Sequence, residues 1–432
     1  MRRALLLVLF CVHGCVAQTT FHGNIARTGV YDSPALEHLS GVKWAFKAEG
    51  PITGSPAISD GVIYIGSLDT NLYAVDQQTG RQKWRFKTEG PIASSPAVAN
   101  GVVYFSSNDG GFYALAADSG RVMWRFTTEG ERRFEAKGLH GTGPKGQTVP
   151  DPFDHFTSSP AVFNGRLYFG SGDGNVYALD ARTGTLQWKF STNDVVRASP
   201  AIANNTVYIG SWDSYLYALD VDTGVEKWRF KSGEDPVYHN QVGFQSSPSV
   251  VDGTVYVGCR DAHVYAIDAA TGREKWNYST NKSWVNTTPA VRDGVVYVGT
   301  VDTHLFRALD ARTGTARFTF DARIGMFSSP ALAGNFAYIG AINGRLYAID
   351  VESGKLAWEF QTESSRKDPL KILKPDGSRD QSISFAPTFY DFQDMYVIWY
   401  RNFSVGAILS SPVVDRGEIY FGSTDGFLYA LH

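Results

Sequence analysis

Eight Ser/Thr-Pro pairs recur along this chain, at Pro56, Pro96, Pro160, Pro200, Pro248, Pro289, Pro330 and Pro412. An aromatic follows each of the first seven: Trp84, Trp124, Trp188, Trp228, Trp276, Phe318 and Trp358. The spacing is 28 residues in six cases and 29 in the other. A repeat of about 40 residues marks an array in which each unit packs on its neighbours, so the 432 residues are expected to form one body around these units.

Turns segment the strand formers within the unit Ser55 to Phe86. Ser55-Pro56-Ala57-Ile58 runs into Asp60-Gly61, and Val62-Ile63-Tyr64-Ile65-Gly66 is rich in β-branched and aromatic residues. Leu72-Tyr73-Ala74-Val75-Asp76 follows a turn at Leu68-Asp69-Thr70, and Lys83-Trp84-Arg85-Phe86 follows Thr79-Gly80. These runs predict four antiparallel strands, and four strands per repeat predict a propeller blade. The ends supply the count. Asp76 lies 20 residues after Pro56, and the same step from Pro412 reaches His432, the last residue, so the final blade lacks a fourth strand. Val42-Lys43-Trp44-Ala45-Phe46 reads as that missing strand. Joining the two closes an all-β, eight-bladed propeller over residues 42–432 and leaves no open sheet edge.

The segment Ala74-Val75-Asp76-Gln77-Gln78-Thr79-Gly80-Arg81-Gln82-Lys83-Trp84 recurs at Ala178–Trp188, Ala218–Trp228, Ala266–Trp276 and, with Ser for Thr, Ala348–Trp358; Ala114–Trp124 is a divergent copy. It resembles the tryptophan-docking motif of the PQQ-type β-propeller repeat of quinoprotein alcohol dehydrogenases. It is also similar to the repeat of BamB, the lipoprotein subunit of the outer-membrane β-barrel assembly machinery. The resemblance implies that Trp44, Trp84, Trp124, Trp188, Trp228, Trp276, Phe318 and Trp358 dock between blades, each burying a large apolar face. Blade six departs from the pattern, with Phe for Trp and one extra residue near Leu305-Phe306-Arg307-Ala308, which reads as a β-bulge.

The interval from each aromatic to the next proline is near 12 residues in the regular blades, but 36 after Trp124, 20 after Trp228 and 54 after Trp358. The three insertions, at about 129–157, 231–245 and 361–409, share one connection type and therefore one face, while the Asp60-Gly61 and Thr79-Gly80 turns leave the other bare. Function usually resides on loops carried by a rigid scaffold, so the decorated face is the expected recognition surface. Its candidate residues are Arg132, Arg133, His140, Asp154, His155, His239, Asn240, Arg260, His263, His304, Arg345, Tyr390 and Trp399. His263 and His304 read as equivalent positions in adjacent blades. With His239 and Cys259 they form the one set of residue types that suggests a metal; a polar recognition patch is the plainer reading. The repeated turn residues, Asp69 among them, read as turn formers.

Residues 1–17 have two Arg, an apolar run and Gly14-Cys15-Val16-Ala17, the pattern of an export leader, followed by an arm at 18–41. Two processing routes fit: cleavage after Ala17, or a lipobox that places a lipid on Cys15. Cys259 is then the lone thiol of the propeller, so no internal disulfide is expected there. A net charge of −3 offers no general attraction to nucleic acid, and membrane contact is expected only through a lipid anchor. The expectation is a monomeric, non-catalytic scaffold or binding protein, periplasmic or held in the cell envelope, that engages an envelope protein or small ligand. The alternative implied by the resemblance is a dehydrogenase of alcohols, aldehydes or sugars that uses PQQ with calcium. The adjacent cysteine pair of many such enzymes is missing, and so is a Cys-x-x-Cys-His haem signature.

Overall fold

The strand-rich runs of each repeat become one four-stranded antiparallel sheet. In blade 1 the strands are Ala57–Ser59, Val62–Gly66, Asn71–Asp76 and Gln82–Lys87, in sequence order from axis to rim. The computed structural model describes residues 20–130, 157–233, 243–384 and 400–432, with the backbone of 134–135 and 148–149. Blade 8 is built from Val413–Asp415, Glu418–Gly422, Phe427–Leu431 and the N-terminal strand Val42–Lys47, which pairs Trp44 with Ala430. The ring is closed by this strand, as expected.

Burial follows from the place of each strand. The second and third strands of blade 1 are buried between neighbouring sheets, while its rim strand alternates between exposed and half-buried residues. The three-residue first strands of successive blades touch one another around the axis.

The docking aromatics do more than fill space. The Trp84 indole donates to the Ala117 carbonyl of the next blade at 3.0 Å, and the Tyr64 hydroxyl donates to the same oxygen at 3.0 Å. Trp124, Trp188, Trp228 and Trp276 repeat this bond to Ala181, Val221, Ala269 and Ala311. Each ring lies on the glycine of the following Thr-Gly or Ser-Gly turn: a Cβ on Gly120 would sit 2.7 Å from the Trp84 ring, and the backbone there has φ +71°. Glycine is therefore required twice over, by the left-handed turn and by the ring. Phe318 covers Gly354 in the same way without an indole donor.

The extra residue of blade 6 lies in a turn. Val295–Gly299 pairs with the next strand in unbroken register, Gly299 facing Phe306, so the expected bulge is not in this strand pair. A register shift does occur between Ala308 and Leu309 against the rim strand, but every complete blade has its equivalent. The residue lengthens the turn between strands two and three and moves His304 out of line with His263. His263 begins a strand opposite Ser279, and the corresponding residue of blade 6 is Leu305, opposite Asp321. His304 instead holds the left-handed turn position (φ 60°) filled in blade 5 by Ala262 (φ 68°).

The arm preceding Val42 covers the centre of the face that the insertions leave bare. Carbonyls of Ile25, Ala26, Thr28 and Gly29 accept the amides of Ile202, Val250, Val291 and Leu332, which sit two residues beyond the prolines of blades 4 to 7. Leu36 then takes the place of the turn that blade 8 lacks: its carbonyl accepts the Trp358 indole at 2.9 Å and the Tyr338 hydroxyl at 3.1 Å. Arg27, fully buried, donates to the carbonyls of Phe21, Ser159, Pro160 and Pro200 and to the Thr20 hydroxyl, and its guanidinium lies 5.3 Å from the Phe21 ring. The arm is a plug.

His22, also buried, places its two ring nitrogens 2.7 Å from the Arg27 carbonyl and 2.9 Å from that of Pro330. Burial outweighs these two carbonyls and, with the nearby Arg27 cation, lowers the imidazole pKa to about 4. The unfolded chain, titrating near 6.5, then takes up the proton first. Stability present above pH 6.5 is lost as the pH falls from 6.5 to about 4, by at most ~3 kcal/mol at 1.36 kcal/mol per unit. His22→Gln is expected to flatten this limb in urea titrations between pH 8 and 4. A native protein that gains stability over the same interval would show that the imidazolium is the folded form.

Candidate functional site

The same prolines that mark the repeat build concentric rings on the axis. Immediately before them stand Ser55, Ser95, Ser159, Ser199, Ser247, Thr288, Ser329 and Ser411. The amide of one donates to the hydroxyl of the next, as from Ser55 to Ser95 at 2.9 Å, Ser199 to Ser247 at 2.8 Å and Ser411 back to Ser55 at 2.8 Å. These hydroxyls are consumed in closing the ring, which explains why the position is uniform.

Three residues before each proline, where the chain enters from the insertion face, uniformity ends. Thr53, Ala93, Thr157, Arg197, Gln245, Asn286, Phe327 and Leu409 line an axial cavity of about 70 Å³, and Phe21 of the plug closes its lower end. Blades 3 to 6 contribute the polar arc from Thr157 to Asn286; blades 7 and 8 contribute Phe327 and Leu409. Arg197, Gln245 and Asn286 are each no more than 9 % exposed. The amide atoms of Asn286, the Gln245 Oε1 and the Thr53 and Thr157 hydroxyls are buried without a hydrogen-bond partner among the described residues.

Beside this cavity, Arg260 is sandwiched between two indoles, its guanidinium carbon 4.3 Å from the Trp212 ring and 4.7 Å from the Trp284 ring. Trp212 and Trp284 escaped the sequence reading because neither occupies the docking position. Cys259 turns into the core of blade 5, where its thiol donates to the Gly243 carbonyl at 3.3 Å and burial raises its pKa. The thiol therefore does not share a surface with His263 or His304.

The other expected site residues have separate surroundings. His263 leans on Asp261, its Nδ1 3.5 Å from Oδ1, and the hydrogen bond to that carboxylate raises its pKa. Asp261 also accepts the Tyr265 hydroxyl and the Gly233 amide. Burial pushes its carboxyl up, but these donors and His263 outweigh it, leaving the pKa below the usual value. The same Tyr–Asp bond recurs at Asp69, Asp109, Asp173, Asp213 and Asp425, in keeping with the turn-forming role expected of these residues. His304 faces a polar groove of about 730 Å³ with Asp321, Arg323, Lys374 and Arg379, formed against the third insertion, and burial lowers its pKa. Arg345 donates to Glu359 at 2.6 Å. Among the described residues, no three His, Cys, Asp or Glu side chains are grouped to hold a metal. Arg132, Arg133, His140, Asp154, His155, His239, Asn240, Tyr390 and Trp399 lie outside the described residues, as do residues 1–17.

A quinone cofactor held on calcium needs carboxylates beside it. Among the described residues, the cavity lining offers two amides and a guanidinium and no Asp or Glu, so these residues alone do not supply the carboxylates that such a group needs.

Known proteins agree with the architecture. Aligned along nearly its whole length with BamB from Moraxella catarrhalis, the chain has a TM-score of 0.64 at 16% identity, covering 91% of this chain and 97% of that one. With the quinohemoprotein alcohol dehydrogenase from Comamonas testosteroni the TM-score is 0.69 at 14% identity, covering 96% and 80%. At these identities the likeness is one of fold. A curated relative, the outer membrane protein assembly factor BamB of Moranella endobia (strain PCIT), is 26% identical over 107 residues; the match covers 24% of this chain and 26% of that relative's length. The family model described as outer membrane protein assembly factor BamB matches residues 35–138, 140–282 and 238–371, and the chain belongs to that family of PQQ-like propellers.

Proposed function

We propose that this chain is an exported, non-catalytic scaffold of the cell envelope, BamB-like in role, that holds an envelope protein on the face carrying its insertions. The observation that carries the reading is the family match across residues 35–371. An export leader at 1–17 would deliver the chain to the periplasm, soluble or tethered through Cys15.

The third insertion is the natural arm for such a partner. Its ends meet, since the Thr362 hydroxyl lies 3.2 Å from the carbonyls of both Val405 and Gly406, so residues 364–404 can be replaced by a short linker without opening the blades. The shortened chain is expected to keep its urea midpoint within the span of ~1 kcal/mol and to lose at least tenfold in affinity for the envelope protein that the intact chain photo-crosslinks from the insertion face. A probe at Gln78, on the opposite face, is expected to capture none. Crosslinking only from position 78 would overturn the face assignment. Saturable quinone absorbance with PQQ and calcium, accompanied by dye reduction on alcohols, aldehydes or sugars, would replace the scaffold by a dehydrogenase.

A further inference from the structure

Buried polar atoms in a folded protein almost always have partners, and the axial cavity gathers several that do not. Asn286, 9 % exposed, has neither side-chain amide atom hydrogen-bonded among the described residues. In the adjacent blade Gln245, 7 % exposed, leaves its Oε1 unmet as well. Both side chains line the cavity. Arg197 has an interaction of its own and is not among these open groups. On the other side of Asn286, Phe327 of blade 7 and Leu409 of blade 8 continue the wall and make it apolar. A cavity of about 70 Å³ accommodates one small molecule.

The open groups call for a donor and an acceptor side by side. A side-chain amide presents an N–H and a C=O on one edge, and a second amide edge of the same kind meets both at once in a ring of two hydrogen bonds. This match holds whichever way the Asn286 amide is turned. A primary carboxamide keeps one further N–H, which the Gln245 Oε1 accepts. A carboxylate offers acceptors only and leaves the Asn286 and Gln245 oxygens unmet. Phe327 with Leu409 suits a short hydrocarbon end. We propose that the axial cavity binds a small neutral primary carboxamide, its amide paired with that of Asn286 and bonded to Gln245, its hydrocarbon end on Phe327 and Leu409. This site goes beyond the scaffold reading and does not rest on it.

Propionamide is the probe, titrated by calorimetry into the purified mature chain beside butanone and propionate, which match its size. Saturable propionamide binding is expected. Affinity should fall at least tenfold, roughly, for butanone, which keeps the carbonyl and lacks the N–H donors, and as much for propionate, which is ionised and has none. Asn286→Leu, similar in size and without polar atoms, is expected to weaken propionamide by about tenfold or more while leaving butanone within about threefold. Gln245→Met should weaken propionamide about fivefold. A side chain that only supports the wall would not change one ligand and spare the other. If Asn286→Leu melts before the wild type, the propionamide-to-butanone ratio on the wild type decides. Absence of propionamide saturation, butanone or propionate bound as tightly, or a folded Asn286→Leu that keeps the preference for propionamide would overturn the proposal. None of these results touches photo-crosslinking at the insertion face.

Discussion

Arg27→Ala is expected to destabilise the propeller by about 3–5 kcal/mol and to free the plug from the axis. The guanidinium serves carbonyls from blades 3 and 4 as well as the arm itself, so its loss strands the oxygens of Ser159 and Pro200 inside the ring. Removing a buried charge recovers some desolvation energy, which is why the figure stays below the sum of the separate bonds. The distinctive readout is hydrogen exchange. The amides of Ile202, Val250, Val291 and Leu332 donate to arm carbonyls and should lose protection together, whereas the amides of Val103 and Leu115, inside blade 2, should not. Arg27→Met keeps the stem and should recover less than half of the loss. If stability falls while the four amides stay protected, the arm is held by Leu36 and its neighbours, and Arg27 is not its anchor.

The plug also shows where sequence reasoning reached its limit. Repetition made the blades legible: each Trp and Thr-Gly turn is written at a constant distance, and even the seam at Trp44 follows from counting. The arm has no copy elsewhere in the chain, so nothing in its order announces that Arg27 sits on the axis. Its one visible signal is Arg among Phe21, His22 and Ile25 in a segment otherwise free to be a linker. The axial cavity was legible in principle from the same prolines. At one residue before Pro the chain always has Ser or Thr, because that hydroxyl closes a ring. Three residues before Pro it has Thr, Ala, Arg, Gln, Asn, Phe or Leu, because nothing structural constrains the position. Variation on a symmetric frame is the signal, and in the outer turns the same kind of variation points to His263 and His304. The pairing of those two failed for a physical reason: a residue added to a turn changes which side chain sits at positive φ, while a residue added to a strand would have shifted the register of the sheet.

Among the docking aromatics, Trp276 shares with Trp188 the deepest burial and should be among the costliest to truncate. It is only 8 % exposed, packs on Tyr256 at a ring separation of 5.9 Å, and covers Gly314, where a Cβ would lie 2.7 Å from the indole. Trp276→Ala removes this buried face and leaves a cavity between blades 5 and 6, for an expected loss of about 3–5 kcal/mol. Because the ring is closed, a gap at one interface weakens the whole array, and the urea midpoint should move as one transition. Trp276→Phe separates packing from hydrogen bonding. Its phenyl should cover Gly314 much as Phe318 covers Gly354, and the Ala311 carbonyl keeps the Tyr256 hydroxyl at 3.2 Å as a second donor. The Phe variant should therefore lose only about 1 kcal/mol. A Phe variant as damaged as the Ala variant would mean that the indole N–H, and not the apolar face, locks neighbouring blades, and that blade 6 is held to blade 7 by some other contact.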